Sequence, residues 1–213
     1  LKLPINLWGP FWWTFNRETK YSIHGPVLET DHGIYAIRFS GMEDIKQVEQ
    51  WYRLNKSKNK KDWLDAMKLR SIVSFNAVYA DKEDNIMLLH NTAGPIRNEA
   101  YNWKQPVDGT NSALIWNEIT PFDEIPLLIN PNSGWVVSAN QDPFRASSIK
   151  DNLKRSDFSE TLGIETKMTN RAYRVIEIFD NDKKFTEQDL LDAKFDNEYS
   201  RQSRSIKYLQ NVL

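Results

Sequence analysis

Two strand-like runs joined by a short charged segment limit the folds open to this chain more than any other feature of its sequence. The runs are residues 72–79 (IVSFNAVY) and 85–90 (NIMLLH), and the connection contains Asp81-Lys82-Glu83-Asp84. A short polar connection between two β-rich runs is typical of an antiparallel hairpin. Because both runs are largely apolar, we expect this hairpin to lie in the core of a sheet.

The remaining pattern predicts an α+β fold, with a central, mostly antiparallel sheet and helices on one face. Residues 91–131 hold five of the nine prolines and are expected to be mostly irregular. No linker or internal repeat divides the chain, so we expect a single domain over residues 1–213. The predicted strands are residues 14–23, 33–39, 72–79, 85–91 and 135–139, and the predicted helices are residues 42–55, 62–70, 170–179 and a helix from Thr186.

Composition argues against several classes of partner and chemistry. The 28 Lys and Arg residues are balanced by 29 Asp and Glu residues, so we expect no nucleic-acid partner. No apolar run approaches the roughly 18 residues of a spanning helix, so we expect no membrane-embedded segment. The chain has no cysteine, and its three histidines lack zinc-type spacing. We therefore expect no metal and no cofactor.

Seven short motifs follow one another along the chain, each of low specificity alone. They are His24-Gly25-Pro26-Val27, Trp51-Tyr52, Asn76 with Tyr79-Ala80-Asp81 and Asn85-Ile86, Pro106-Val107-Asp108-Gly109, residues 128–134 (LINPNSG), Ser138-Ala139-Asn140, and residues 170–174 (NRAYR). In this order and spacing they resemble the β-subunit of the penicillin acylase (penicillin amidase) family of N-terminal-nucleophile hydrolases, over about residues 12–199. Residues 48–52 and 195–197 are most similar to the branch that contains N-acyl-homoserine-lactone acylases.

The resemblance implies a four-layer αββα sandwich and an amide hydrolase. In this family the first residue of the β-subunit is a serine whose own α-amine takes the hydroxyl proton, so no histidine and no cofactor are needed. The expected substrate is a small acyl amide, with a β-lactam nucleus or homoserine lactone as the amine. We expect the parent enzyme to be periplasmic or secreted and to act in antibiotic chemistry or in quorum quenching.

One departure from the family pattern is large. Leu1 cannot act as a nucleophile, and the family serine lies much farther upstream of the His24 motif than the 23 residues present here. We therefore expect a fragment of the β-subunit that is inactive by itself. Its expected partners are the remainder of the β-subunit and the α-subunit, and an exposed sheet edge offers a route to a dimer.

The resemblance assigns roles to two residues, each with a structural alternative. Asn140 matches the asparagine whose side-chain NH₂ donates to the oxyanion, although an Asn before Pro143 also commonly caps a turn. Arg174 matches an arginine near the active site, although a helical Arg is commonly a surface ion-pair partner. Asn76 is expected to make a structural hydrogen bond, and Asp151 to bind no calcium.

A second function class stays open beside the acylase. The same sheet could serve as a ligand- or protein-binding module that catalyses no reaction. In that case a ligand would lie against tryptophan side chains, and the candidates are Trp12, Trp13, Trp51 and Trp135.

Overall fold

The computed structural model describes residues 1–181 and 183–212. Helices and antiparallel strands are combined in this part of the chain, which confirms the predicted α+β class. The strands are β1 (Lys2–Trp8), β2 (Phe11–Asn16), β3 (Lys20–Ser22), β4 (Gly25–Thr30), β5 (Gly33–Ala36), β6 (Phe75–Ala80), β7 (Ile86–Asn91) and β8 (Leu127–Ile129). The helices are α1 (Gln47–Lys56), α2 (Lys60–Met67), α3 (Asn170–Phe179), α4 (Glu187–Phe195) and α5 (Arg204–Val212).

The predicted hairpin is confirmed as β6 and β7, which pair antiparallel with Asn76 opposite His90. Its connection is closed by Asp81, whose Oδ1 accepts the main-chain N–H groups of Glu83 and Asn85, each at 3.0 Å. β8 pairs antiparallel with the other edge of β7. β7 is therefore the central strand of a three-stranded sheet and is mostly buried, whereas β6 is an edge strand.

The two faces of this sheet are covered by different parts of the chain. Successive side chains of a strand point to opposite faces, so the apolar run of β7 can serve both. Helices α1 and α2 cover one face, in agreement with the prediction, and the segment of residues 130–153 covers the other. The cluster on the helix side contains Trp63, Met67, Ala77, Met87, Leu89 and Ile125, and the cluster on the other side contains Leu88, Leu128 and Ala146 with Val136 and Leu153 packed against it.

The prediction of one five-stranded sheet is wrong. The described strands form three separate sheets, β1–β2, β3–β4–β5 and β6–β7–β8. The predicted strand over residues 14–23 is divided between β2 and β3, and residues 135–139 form no strand. β8 instead lies in the proline-rich stretch, directly after Pro126. Alternating polarity indicates which residues can be extended, but it does not choose the partner strand.

Two helices begin where the sequence predicts, whereas the helix predicted over residues 62–70 is observed as α2 at Lys60–Met67, behind the N-cap Asn59. Residues 170–179 form α3 as predicted, and Thr186 caps α4 with a reciprocal capping box. The helix predicted over residues 42–55 begins only at Gln47. Glu43 has a φ of 73°, in the left-handed region, which is incompatible with a continuous helix.

The first hairpin, β1–β2, exposes an apolar face. Leu3 lies opposite Phe15 and Ile5 opposite Trp13, so these four side chains share one face of the ribbon. They are 38–52% exposed. We call them the β1–β2 apolar face. A two-stranded ribbon is marginally stable alone, so covering this face would stabilise it.

Candidate active site

Gln141 organises the segment that carries Asn140. Its side chain is almost fully buried, and its Oε1 accepts the main-chain N–H of Ala139 at 2.6 Å. Its Nε2 donates to the carbonyl oxygens of Val137 at 2.8 Å and Arg145 at 3.2 Å. These bonds occupy main-chain groups that a strand would use for pairing, which is why residues 135–139 are irregular.

Asn140 projects outward from this segment. It is exposed and has a φ of 64°, a left-handed conformation that asparagine tolerates better than most residues. We call residues 139–142 the Asn140 turn. The Asn140 Oδ1 accepts a hydrogen bond from Nη2 of Arg171 at 2.5 Å. Among the described residues, the Asn140 Nδ2 has no hydrogen-bond partner.

Helix α3 holds the turn from one side. The N-cap Thr169 accepts the main-chain N–H of Ala172 and donates its hydroxyl to the carbonyl oxygen of Ala139 at 3.3 Å. Arg171 follows in the first turn of α3 and reaches Asn140. Sequence reasoning missed Arg171, although it lies in the same NRAYR motif as Arg174 and shares its helix face at a spacing of three residues.

Asp142 caps the 3₁₀ turn that begins at Pro143. Its carboxylate accepts the main-chain N–H of Phe144 at 3.0 Å and the Nε and Nη2 groups of Arg145 at 3.0 and 2.5 Å. The Asp142 side chain is 1% exposed, so this pair compensates a buried charge. The capping role considered for Asn140 is therefore filled by Asp142.

Asn76 and His90 support the turn from the sheet. Asn76 Nδ2 donates to the main-chain carbonyl of Gln141 at 2.8 Å, and its Oδ1 lies 2.7 Å from Nδ1 of His90. Burial lowers the pKa of His90 to about 4, while the negative charge of Asp142 acts in the opposite direction. His90 is therefore neutral near pH 7. Its Nδ1 carries the proton, because the Asn76 oxygen that faces it can only accept.

Comparison with known proteins identifies the family of this chain. The family model described as penicillin amidase matches residues 14–212. The chain belongs to the penicillin amidase family. Penicillin G acylase of Escherichia coli is 31% identical over 126 residues, which cover 57% of this chain and 15% of that protein.

A solved member of the family shows the same fold. The thermostable penicillin G acylase from Alcaligenes faecalis aligns with a TM-score of 0.69 and 24% sequence identity. The match covers 91% of this chain and 33% of that chain. This amidase-family chain thus spans about a third of the length of the A. faecalis chain and less than a sixth of the length of the E. coli protein.

Arg174, the second residue singled out from the sequence, is engaged by acidic groups. Its Nε and Nη2 donate to the two carboxylate oxygens of Asp196 at 2.9 and 2.6 Å, and Glu198 lies 2.8 Å from Nη2. The hydrogen bond to Asp196 raises the pKa of Arg174. In the penicillin amidase fold of this chain, Arg174 thus ties α3 to the segment after α4, and Arg171 is the arginine that contacts Asn140.

Two of the family motifs are joined by one hydrogen bond. His24 Nε2 lies 2.9 Å from the carbonyl oxygen of Gly109, which connects the first motif to the Pro106–Gly109 motif. Gly25 beside it has a φ of 132°, and a Cβ at this position would lie 2.3 Å from the carbonyl oxygen of Ile37. Only glycine fits there.

A large groove lies apart from the Asn140 turn. It has a volume of about 1660 Å³, and its lining residues include Arg97, Trp103 and Trp116 but neither Asn140 nor Arg174. The guanidinium of Arg97 lies 5.1 and 5.4 Å from the centroids of the Trp103 and Trp116 rings. None of the four tryptophans proposed for a binding module lines the groove. Those four are Trp12, Trp13, Trp51 and Trp135.

The structure also bears on membranes and metals. Across residues 1–181 and 183–212, no helix combines the length and apolar character needed to cross a bilayer. The same residues contain no cluster of three or more His, Asp or Glu side chains that could hold a metal ion. Asp151 instead accepts the main-chain N–H of Ser133 at 2.6 Å, and this bond lowers the pKa of the Asp151 carboxyl.

Proposed function

We propose that this chain is the part of an N-terminal-nucleophile acylase that supplies an oxyanion donor, the Nδ2 of Asn140. The observation that carries the proposal is the contact between Asn140 and Arg171. Arginine can only donate, so the Asn140 atom that faces Arg171 is the oxygen. The NH₂ group is thereby directed away from Arg171 and stays available for a substrate oxygen.

In the proposed reaction, the hydroxyl oxygen of an N-terminal serine attacks the carbonyl carbon of an amide. The proton of the hydroxyl passes to the α-amine of the same serine, and the carbonyl oxygen becomes an oxyanion to which Asn140 Nδ2 donates. Collapse of this intermediate expels the amine, which leaves with that proton. Water then hydrolyses the acyl ester in a second step of the same kind. We propose that the serine comes from a part of the acylase outside residues 1–213, which the small matched share of the two relatives supports.

The proposed substrate class is an amide between a fatty or aromatic acid and a small amine. A β-lactam nucleus is favoured by the E. coli relative named penicillin G acylase. Homoserine lactone is favoured by the motifs at residues 48–52 and 195–197. We also propose that the full protein is periplasmic or secreted and that it serves antibiotic chemistry or quorum quenching.

We further propose that residues 1–213 act as one domain whose partners are the remainder of the β-subunit and the α-subunit. The lengths of the two relatives support this, since the matched regions are 15% and 33% of those proteins. The β1–β2 apolar face supports it as well, because those exposed side chains would be stabilised by a covering segment.

The test is Asn140→Ala in the full-length acylase. If Asn140 donates to the oxyanion, kcat falls about 100-fold or more while KM changes little, because the bond strengthens in the transition state. Mass spectrometry should give the fraction of enzyme molecules in which the serine is the N-terminal residue, so that kcat is expressed per functional active site. Asn117→Ala, at an exposed asparagine, is the matched control.

Two results would contradict the proposal. An Asn140→Ala enzyme with kcat within twofold of wild type would remove Asn140 from the chemistry. We expect the 213-residue polypeptide alone to be inactive. Its turnover of a chromogenic acyl amide would place the nucleophile within this chain and contradict the proposal.

A further inference from the structure

The cross-strand pair of Asn76 and His90 lies directly beneath the Asn140 turn. Asn76 on β6 is opposite His90 on β7, on the same sheet face as Leu88. Leu88 packs on that face against Ala146, which belongs to the segment that carries the turn. Both polar side chains are half-buried, and they make their hydrogen bonds with each other and with the turn.

The hydrogen bonds form a directed chain that ends at the turn. His90 Nδ1–H donates to Asn76 Oδ1, and Asn76 Nδ2 donates to the main-chain carbonyl of Gln141. Because the Gln141 carbonyl can only accept, the NH₂ group of Asn76 must face it, and the Asn76 oxygen is left to accept from His90. Without His90 the Asn76 oxygen would lose its hydrogen-bond donor, and the amide would be held less firmly against the Gln141 carbonyl.

The residues on either side of Asn140 are both fixed. Ala139 donates its main-chain N–H to the Gln141 side chain and accepts the Thr169 hydroxyl at its carbonyl. Gln141 is held through its side chain and, by Asn76, through its own carbonyl. Asn140 keeps its left-handed φ of 64° between these two anchored neighbours.

We propose that Asn76 and His90 are positioning residues that set the direction of the Asn140 side chain through the Gln141 carbonyl. This inference rests on the proposed function of Asn140. Neither residue touches the substrate in this proposal. Their contribution to the reaction passes entirely through the geometry of the Asn140 turn.

A double-mutant cycle in the full-length acylase tests the proposal. Asn76→Asp keeps the size of the side chain but replaces the donor that faces Gln141 with a carboxylate oxygen. We expect kcat to fall about 10-fold with KM unchanged, because one hydrogen bond of this kind corresponds to about one factor of ten. In the Asn140→Ala background the same substitution should change kcat less than twofold, since the residue through which it acts is gone. Asn117→Asp is the matched control for the added charge.

A second pair of variants keeps the test decisive if Asn76→Asp does not fold. His90→Gln retains an N–H donor toward Asn76, whereas His90→Leu has none. We expect His90→Gln to keep kcat within about threefold of wild type and His90→Leu to lose about 10-fold, with no loss in the Asn140→Ala background.

The possible failures are distinguishable. If Asn140→Ala itself leaves kcat unchanged, the proposed function fails. If Asn140→Ala lowers kcat but Asn76→Asp and His90→Leu lower it by the same factor in both backgrounds, the positioning role is overturned while the proposed function stands.

Discussion

Replacing Gln141 by leucine would remove the side chain that folds the Asn140 turn. The substitution keeps a side chain of similar length in a site that is 4% exposed. It removes three hydrogen bonds, one from the main-chain N–H of Ala139 and two to the carbonyls of Val137 and Arg145. These half-buried main-chain groups then lack protein partners, and leaving a polar group unpaired costs more than removing both partners of a hydrogen bond.

The expected loss of stability follows from these three bonds. An unsatisfied buried polar group costs about 1–3 kcal/mol, and burying the larger apolar surface of leucine returns about 1–2 kcal/mol. We therefore expect the free energy of unfolding to fall by about 3 kcal/mol. For a chain of this size that corresponds to a decrease in Tm of about 6–12 °C.

The measurement is urea unfolding followed by far-ultraviolet circular dichroism, with Gln188→Leu as the matched control. Gln188 is exposed on α4 and makes one hydrogen bond, to Asp192 at 2.8 Å, so its replacement should cost less than about 0.5 kcal/mol. A loss for Gln141→Leu below about 1 kcal/mol, or one equal to that of the control, would refute the reasoning. It would mean that water satisfies the three main-chain groups.

Two further substitutions test other contacts by the same unfolding measurement. Gly25→Ala places a Cβ 2.3 Å from the Ile37 carbonyl oxygen and should cost more than about 2 kcal/mol, whereas Gly9→Ala, with nothing within 4 Å, should cost about 1 kcal/mol; equal losses would show that the Gly25 loop relaxes. Arg174→Lys keeps the charge but loses the two-pronged contact with Asp196, so it should cost about 1 kcal/mol more than Arg204→Lys at an exposed position, and no difference would mean that the contact adds nothing.

Local patterns in the sequence were sufficient for the central hairpin and for α3. The apolar runs of β6 and β7 and the polar residues between them lie next to each other in the chain, so their pairing is the nearest one available. Helix α3 has a Thr cap immediately before its first residue and an apolar stripe along its length, so both of its bounds are predictable.

Contacts between residues that are distant in sequence explain the two strand predictions that were wrong. Trp135, Val136 and Val137 have the composition of a strand, but no partner strand lies beside them. The side chain of Gln141 instead bonds the carbonyl of Val137 and the main-chain N–H of Ala139. β8 pairs with a strand that ends 36 residues before it begins, and no short-range pattern records that pairing. These two errors have one physical origin, because pairing across the fold is decided by tertiary contacts.

The candidate site was predictable only in part. Asn140 could be singled out through its motif, and the structure shows which of its side-chain atoms faces Arg171. The contribution of Gln141, Asn76 and His90 depends on main-chain groups that are distant in sequence. Hydrogen bonds of this kind leave no spacing pattern in a single chain.

The exposure of the β1–β2 hairpin also determines what intrinsic fluorescence would report. Trp8, Trp12 and Trp13 are 67%, 64% and 52% exposed, whereas Trp63 in the core is 8% exposed. These three of the eight indoles, together with Trp51 at 48% exposed, therefore emit from water in the folded state and are open to collisional quenchers such as acrylamide. Emission at long wavelength would persist through folding, so unfolding curves recorded by fluorescence would underestimate the change in the core. The same three indoles make a label-free reporter of assembly, since a segment that covers the hairpin would shield them from the quencher.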